Sequence, residues 1–354
     1  MRLQRPAASL ALLATLFLPA APYSSAQQPS PQSPASIRVE VNRVNVGVIV
    51  TDAQGKFVEG LRQQDFHVFD DGVEQPLTNF AAMDEPAQIV LLLETGPAVY
   101  LLEGSHVRAA SSLLDGLAPG DRIAIVAYAD RPSPLLDFTA DLPSAAAALS
   151  SLRFNLGFGQ LNLASSLIAL YDSLASLPGK KTIVLLSTGV DTSPQPAWDA
   201  LPARLLTGDV RILAVSLGGE LRAPPPTGKS GKRSKQDKKN PSPNAVSPEK
   251  AAAAEQGFAE ADARLSAITA ATGGRVFFPK GPREYPAVYA QIAQLVRHEY
   301  SLSFAPPARD GHVHSLEVRV SSAPTPPGTP SAPPAPATHP VYRVDHRRAY
   351  LAPR

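Results

Sequence analysis

Glu94 closes the apolar run "IVLLLE" at residues 89–94, and a turn, "TGP", follows it. A buried parallel strand that breaks off in this way delivers its last side chain to the rim of a sheet, where a carboxylate can ligate a cation. Further acids gather at Asp70, Asp71 and Glu74. They fit a calcium site or plain turn chemistry, and the turn is the preferred reading because Asp71-Gly72 suits a two-residue hairpin loop. His312 and His314 are expected to share a strand face, which fits a surface hairpin better than a two-ligand metal site. Catalytic signatures fail one by one. "LPGKKT" at 177–182 has Leu174 where a phosphate loop needs its first glycine, and it precedes a strand where that motif opens a helix. "GFGQLN" is no dinucleotide fingerprint, "HEY" at 298–300 lacks the second histidine of a zinc protease, and no Gly-x-Ser-x-Gly elbow occurs. The expectation is a protein that is not an enzyme and carries no cofactor; an unrecognised hydrolase whose triad the fold assembles is the second alternative.

Composition bounds the setting. The 354 residues allow two modules, 44% are hydrophobic and 18% charged, and 37 prolines imply Pro-rich stretches outside any core. A net charge of +2 predicts no general affinity for nucleic acid. Arg2 and Arg5 precede an apolar run from Ala7 to Ala21, and Ser24-Ser25-Ala26 forms a small-residue cleavage pattern. Residues 1–26 therefore read as a signal peptide of an exported protein, periplasmic or extracellular, with retention as an anchor as the other reading. Residues 27–36 read as a flexible lead-in, and no later segment suits a membrane span. Cysteine is absent, so neither disulfides nor thiolate metal sites are available.

Two strand regimes follow. From Ile37 to about residue 82, alternating residues predict strands, with a break near Asn42-Arg43 where the apolar phase changes, and a hairpin in "FHVFDDGVEQPLTNF". From Gln88 the runs "QIVLLLE", "DRIAIVAYAD", "KKTIVLLSTG" and "DVRILAVSLGG" are nearly continuous in apolar residues and alternate with helical segments. That pattern predicts a doubly wound, mostly parallel α/β domain over 86–299, with "LLDFTAD" as a short edge strand. "YSLSFAPPARDGHVHSLEVRV" reads as a hairpin with Leu316, Val318 and Val320 on one face, and "VYRVDHRRAYLAP" as a final strand.

Together "VNVGVIVTDAQGKFVEGLRQQDFHVFDDGVEQPLTNF", "APGDRIAIVAYAD", "KKTIVLLSTGVDT", the stretch from Tyr300 and the terminal "HRRAYLAP" resemble a von Willebrand factor A (VWA) domain, more narrowly the secreted VWA-related family first described from acidobacteria. The resemblance covers most of residues 40–352. It implies that residues 37–82, 300–321 and 341–352 form a small β-sandwich in which the α/β domain is inserted or beside which it packs. It also implies where a metal would sit. Such domains offer Mg²⁺ an Asp-x-Ser-x-Ser turn, a Thr and an Asp. Here those positions read Glu94-Thr95-Gly96-Pro97-Ala98, Leu161 and Thr188. A site left with one carboxylate and one hydroxyl is expected to hold no metal. The alternative is an improvised site in which Glu94, Asn162, Ser187 and Asp191 converge; the whole degenerate rim of candidate binding residues is Glu94, Thr95, Asn162, Ser187, Thr188 and Asp191.

Two insertions complete the reading. Residues 222–248 carry Lys229, Lys232, Arg233, Lys235, Lys238 and Lys239 against Asp237, a local excess of five positive charges in a stretch too polar to fold. It is expected to be a disordered loop, either a tolerated insertion or a contact for acidic polymers. Residues 322–340 read as a Pro-rich loop before the last strand. The expected function is an exported protein-binding or scaffold module with a protein or cell-envelope partner, the alternative being metal-dependent adhesion around Glu94.

Overall fold

The computed structural model describes residues 43–81, 86–100, 103–154, 159–174, 177–222, 248–321 and 342–353. All of them fall in one compact unit, Asn42–Arg354. The expected signal peptide and lead-in, the strand expected at residues 37–41, the six basic residues from Lys229 to Lys239 and the expected Pro-rich loop lie outside the described residues. Among the described residues no helix is long and apolar enough to cross a membrane.

Four strands come first: β1 (Val44–Thr51), β2 (Phe66–Asp70), β3 (Val73–Gln75) and β4 (Leu77–Ala81). β2 and β3 form the expected hairpin, with Asp71 at φ +47° and Gly72 at φ +81°. Those two left-handed residues give the turn whose twist matches the strands it joins. Pro76 then removes a donor from the ladder, and β4 crosses to the opposite sheet.

The α/β part runs through β5 (Ala87–Glu94), α1 (Pro97–Tyr100), α2 (Glu103–Leu114), β6 (Arg122–Tyr128), β7 (Pro132–Thr139), α3 (Leu142–Ser150), α4 (Leu163–Leu174) and β8 (Lys180–Ser187). It continues through α5 (Gln195–Leu205), β9 (Val210–Ser216), α6 (Gly218–Leu221), α7 (Pro248–Ala271), β10 (Val276–Phe277) and α8 (Tyr285–Arg297). The sheet order is β10-β9-β8-β5-β6-β7, parallel except for β7. Pro132 and Pro134 lie in that antiparallel edge strand, where missing donors discourage further pairing. Alternate residues of each central strand feed two cores, which is why the runs are continuously apolar. Ile89, Leu91 and Leu93 meet α2, α3 and α8 on one face, while Val90 and Leu92 meet α4, α5 and α7 on the other. Each such burial contributes about 1.5–3 kcal/mol relative to exposure.

The chain ends in β11 (Tyr300–Phe304), β12 (Val313–Val320), β13 (Arg343–Asp345) and β14 (Ala349–Leu351). With the first four strands they build two sheets, β13-β1-β11-β4 and β14-β12-β2-β3, over a shared core of Val46, Val48, Phe66, Val68, Tyr300, Leu302, Phe304, Leu316, Val318 and Tyr350. The α/β part is thus inserted in a sandwich. Its entry and exit are neighbours, because Ala81 of β4 and Ser301 of β11 are paired partners.

Two expectations are corrected. β11 and β12 do not form a hairpin; Pro306-Pro307 interrupt the backbone donors, and each strand pairs in a different sheet with its apolar face on the common core. The single final strand is two short ones in opposite sheets, turned at buried His346. His346 Nδ1 donates to the Arg347 carbonyl at 2.6 Å, and Nε2 accepts from the Val318 N–H at 3.2 Å. Burial first, then nearby Arg348 and Arg211, holds this imidazole below its ordinary pKa, as a corner built around the neutral ring requires.

Charged groups line the seam between sandwich and α/β part. Arg211 pairs with Glu299 at 3.0 Å, and Asp209 holds Lys181 at 2.7 Å and the Asn45 amide at 2.9 Å. Losing one member of such a buried pair leaves an uncompensated charge, so the seam fixes how the two parts meet.

Candidate functional site at the switch point

After β5 the chain moves to β6 on one side, and after β8 it moves to β9 on the other, so β5 and β8 flank the topological switch point of the sheet. Open α/β sheets bind ligands above the carboxyl ends of strands at such a point. Here Glu94 ends β5, Tyr128 ends β6 and Ser187 ends β8, and all three are buried.

They are bonded to one another. Glu94 Oε2 accepts from the Thr188 N–H at 2.7 Å, Ser187 Oγ at 2.9 Å and the Tyr128 hydroxyl at 3.2 Å, and Thr188 Oγ1 donates to the same carboxylate at 2.9 Å. Tyr128 and Ser187 hydroxyls also lie 2.7 Å apart. Burial raises the Glu94 pKa, outweighing the donors on Thr188, Ser187 and Tyr128 that favour the anion. Burial and then the Glu94 charge push the Tyr128 phenol well above its ordinary value, so it stays a donor.

Leu161 packs against the turn that follows Glu94. At Gly96 a Cβ would come within 2.6 Å of Leu161 Cδ2, so the glycine is what lets the leucine lie over the turn. The leucine backbone is pinned by Thr192, whose N–H donates to the Leu161 carbonyl at 2.6 Å and whose Oγ1 accepts from the Leu161 N–H at 2.8 Å.

The candidate residues therefore divide. Glu94, Ser187 and Thr188 converge, and Thr95 lies beside them, donating through N–H and Oγ1 to the Tyr128 carbonyl. Asn162 and Asp191 turn elsewhere: Asn162 Nδ2 donates to the Asp130 carbonyl at 2.7 Å, and Asp191 accepts from Ala164 N–H at 3.0 Å, at the first turn of α4, and from Ser193 N–H. The expected convergence of Glu94, Asn162, Ser187 and Asp191 is corrected accordingly. Burial also withdraws Glu94, Thr95, Ser187 and Thr188 from direct contact with a partner; Pro97, Ala98, Val190, Thr192 and Pro194 are exposed in these loops. Tyr128 was missed in the sequence, where its only signal is a hydroxyl at the end of an apolar run.

On the sandwich, the expected histidine pair is also corrected. His312 precedes β12 with its side chain 79% exposed, whereas that of His314 is 10% exposed and points at Asp70, Asp71 and Asp310. Burial draws the His314 pKa down, but Asp310, Asp70 and Asp71 together outweigh it and the net shift is upward. Glu74 belongs elsewhere, bonded to His67 at 2.6 Å.

No protein-family model matches the chain, and no curated protein matches it. The chain is similar to the solved structure of a von Willebrand factor type A protein from Catenulispora acidiphila, at 10% identity and TM-score 0.41 over 79% of this chain and 66% of that one. It is similar to the conserved hypothetical protein BatB from Bacteroides thetaiotaomicron, at 17% identity and TM-score 0.37 over 60% and 99%. A third likeness is to an aerotolerance-related membrane protein from Bacteroides fragilis NCTC 9343 carrying multiple mutations to serine, at 13% identity and TM-score 0.37 over 59% and 98%. The fold class rests on strand order and helix placement: a doubly wound α/β sheet inserted in a β-sandwich.

Proposed function

We propose that this chain is an exported, non-enzymatic VWA-type protein-interaction module that meets its partner through the switch-point loops without a bridging metal ion. The observation that supports this reading is the state of Glu94, which is fully buried and whose oxygens already accept from Tyr128, Ser187 and Thr188. Mg²⁺ sheds water reluctantly and needs several charged oxygens, and here one buried carboxylate offers at most Oε1, itself bonded to Thr188 Oγ1. Contact would fall to Pro97, Ala98 and Val190, with half-buried Asn162 and Asp191 beside them.

The test is cross-linking of the tagged chain in its native envelope, with and without EDTA, beside an Ala98→Arg, Val190→Asp variant. A cross-linked partner that survives chelation and disappears in the variant supports the reading. Loss under EDTA alone, or indifference to the variant, overturns it. The basic stretch from Lys229 to Lys239 belongs to the same proposal as a salt-sensitive contact for acidic polymers: deleting 224–247 is expected to leave cooperative unfolding intact and weaken retention on an anionic resin.

Metal-dependent adhesion is the second reading, and one observation favours it. Asn162 Oδ1 is buried without a hydrogen-bond partner, an oxygen still able to accept a ligand. A rise in melting temperature with millimolar Mg²⁺ that disappears in Asp191→Ala would move the conclusion there.

A further inference from the structure

A hairpin turn and a strand 244 residues away bring an imidazole against two carboxylates. Asp70 ends β2, Asp71 begins the turn, and His314 lies in β12, the neighbour of β2 in the sheet. His314 Nδ1 lies 3.1 Å from Asp70 Oδ1 and 2.9 Å from Asp71 Oδ2. Every other polar atom of the trio is occupied from outside. Asp70 Oδ2 accepts from the Tyr350 hydroxyl at 2.9 Å, and Asp71 Oδ1 accepts from Ser315 N–H at 2.8 Å and Oγ at 2.9 Å. His314 Nε2 faces Asp310 at 3.3 Å, and the ring stacks on Tyr350.

Three atoms are left facing one another, with at most one proton among them. Nδ1 carries that proton, and two carboxylate oxygens compete for it. Asp71, 56% exposed, can turn to water, but Asp70 is only 2% exposed, so its Oδ1 depends on whatever sits at Nδ1. Three carboxylates also surround a single imidazole, a local deficit of positive charge that protonating the ring does not remove.

We propose that Asp70 Oδ1, Asp71 Oδ2 and His314 Nδ1 form a binding site for a divalent transition-metal ion of the zinc type, with Asp310 orienting the imidazole from behind. Ligand atoms about 2.1 Å from a common ion lie roughly 3.0 to 3.4 Å from each other, so the two distances from Nδ1 already fit, and the two carboxylate oxygens lie within 4.8 Å of each other. Mixed imidazole and carboxylate donors favour zinc, manganese or iron over calcium or magnesium. A carboxylate on the far ring nitrogen is the usual support for a ligating histidine, since it sets the tautomer and raises basicity. The half-exposed Asp71 side chain gives the ion an entry path and leaves positions for water. In a chain without cysteine such an ion would staple the β2–β3 turn to β12, closing a loop far longer than any turn.

The experiment uses the full chain, stripped with EDTA and titrated with Zn²⁺ by calorimetry and thermal unfolding. One ion per chain and a higher melting temperature are expected. Asp310→Asn should weaken binding about 10- to 100-fold, and His314→Asn should abolish it. Asp71→Asn decides the matter if the histidine variant does not fold, because asparagine tolerates the left-handed turn position and keeps an acceptor for Ser315. Its expected effect is a loss of at least tenfold in affinity. No heat and no thermal shift in the unaltered chain overturn the proposal, and so does binding that Asp71→Asn leaves unchanged. A zinc response that persists in Glu94→Ala separates this site from the switch point.

Discussion

The switch point and the sandwich edge each hold buried carboxylate, yet they are opposite problems in hydrogen bonding. Around Glu94 donors match what one carboxylate can accept: two hydroxyls, a phenol and a backbone N–H converge on it. Around His314 acceptors are in excess, with Asp70, Asp71 and Asp310 competing for one imidazole. An acid at the end of a strand is therefore no guide to cation binding until its donors are counted. A saturated carboxylate holds loops together; an unsaturated one has lone pairs to offer.

The largest test of this contrast is Glu94→Ala. It strands the Tyr128, Ser187 and Thr188 donors and is expected to cost about 3 kcal/mol or more in urea unfolding, since each orphaned buried polar group costs about 1–3 kcal/mol. A loss well under 1 kcal/mol would break the comparison, because the donors would then not need the acid. Leu161→Ala should cost about 2–3 kcal/mol through the cavity it leaves, while producing no Mg²⁺-dependent rise in melting temperature. If uncovering the turn does create that response, Leu161 is what keeps the metal out, and saturation of Glu94 is not. At the sandwich, Gly72→Ala places a Cβ on a residue at φ +81° with open space around it, and about 1 kcal/mol should be lost through the backbone alone. The smallest effect is pH dependence. Because Glu94 is shifted upward from 4.5, the folded chain holds this proton more tightly than the unfolded chain does, so its contribution is fully present below pH 4.5 and declines as pH rises through the shifted value. Unfolding free energies of the native chain and Glu94→Gln, compared from pH 4.5 to neutrality, should show the native chain losing ground as pH rises. A difference that stays flat would mean that the donors fully offset desolvation.

Much of the architecture was legible because period carries it. The runs at residues 89–93 and 183–186 are apolar at every position, as a strand covered on both faces requires, and they lie in central strands of the sheet. Asp71-Gly72 announced its turn through the same backbone freedom that the structure uses. Partner choice was not legible. Leu302 and Leu316 look like two arms of one hairpin, and nothing local states that they face each other across a core from separate sheets. At the candidate site the sequence offers Leu161 and Thr188 where a resemblance would expect ligands, but not the contacts these residues make instead. That Thr188 would donate to Glu94, or that Tyr128 would reach it from a neighbouring strand, depends on pairing across the sheet. In the sequence His314 reads with His312 as part of a surface hairpin, although alternation along β12 puts it on the buried face with Leu316 and Val318; that Asp70 of β2 meets it there depends on strand pairing.

The pairing of Ala81 with Ser301 has a mechanical consequence. Tension drawn along the polypeptide enters and leaves the inserted part through two strands that already grip each other, so the β4–β11 ladder must unzip from Leu77 and Phe304 toward Ala81 and Ser301 before any pull reaches the parallel sheet. A partner held at the switch-point loops would sit off the line of force, on a part that stays slack while the sandwich takes the strain.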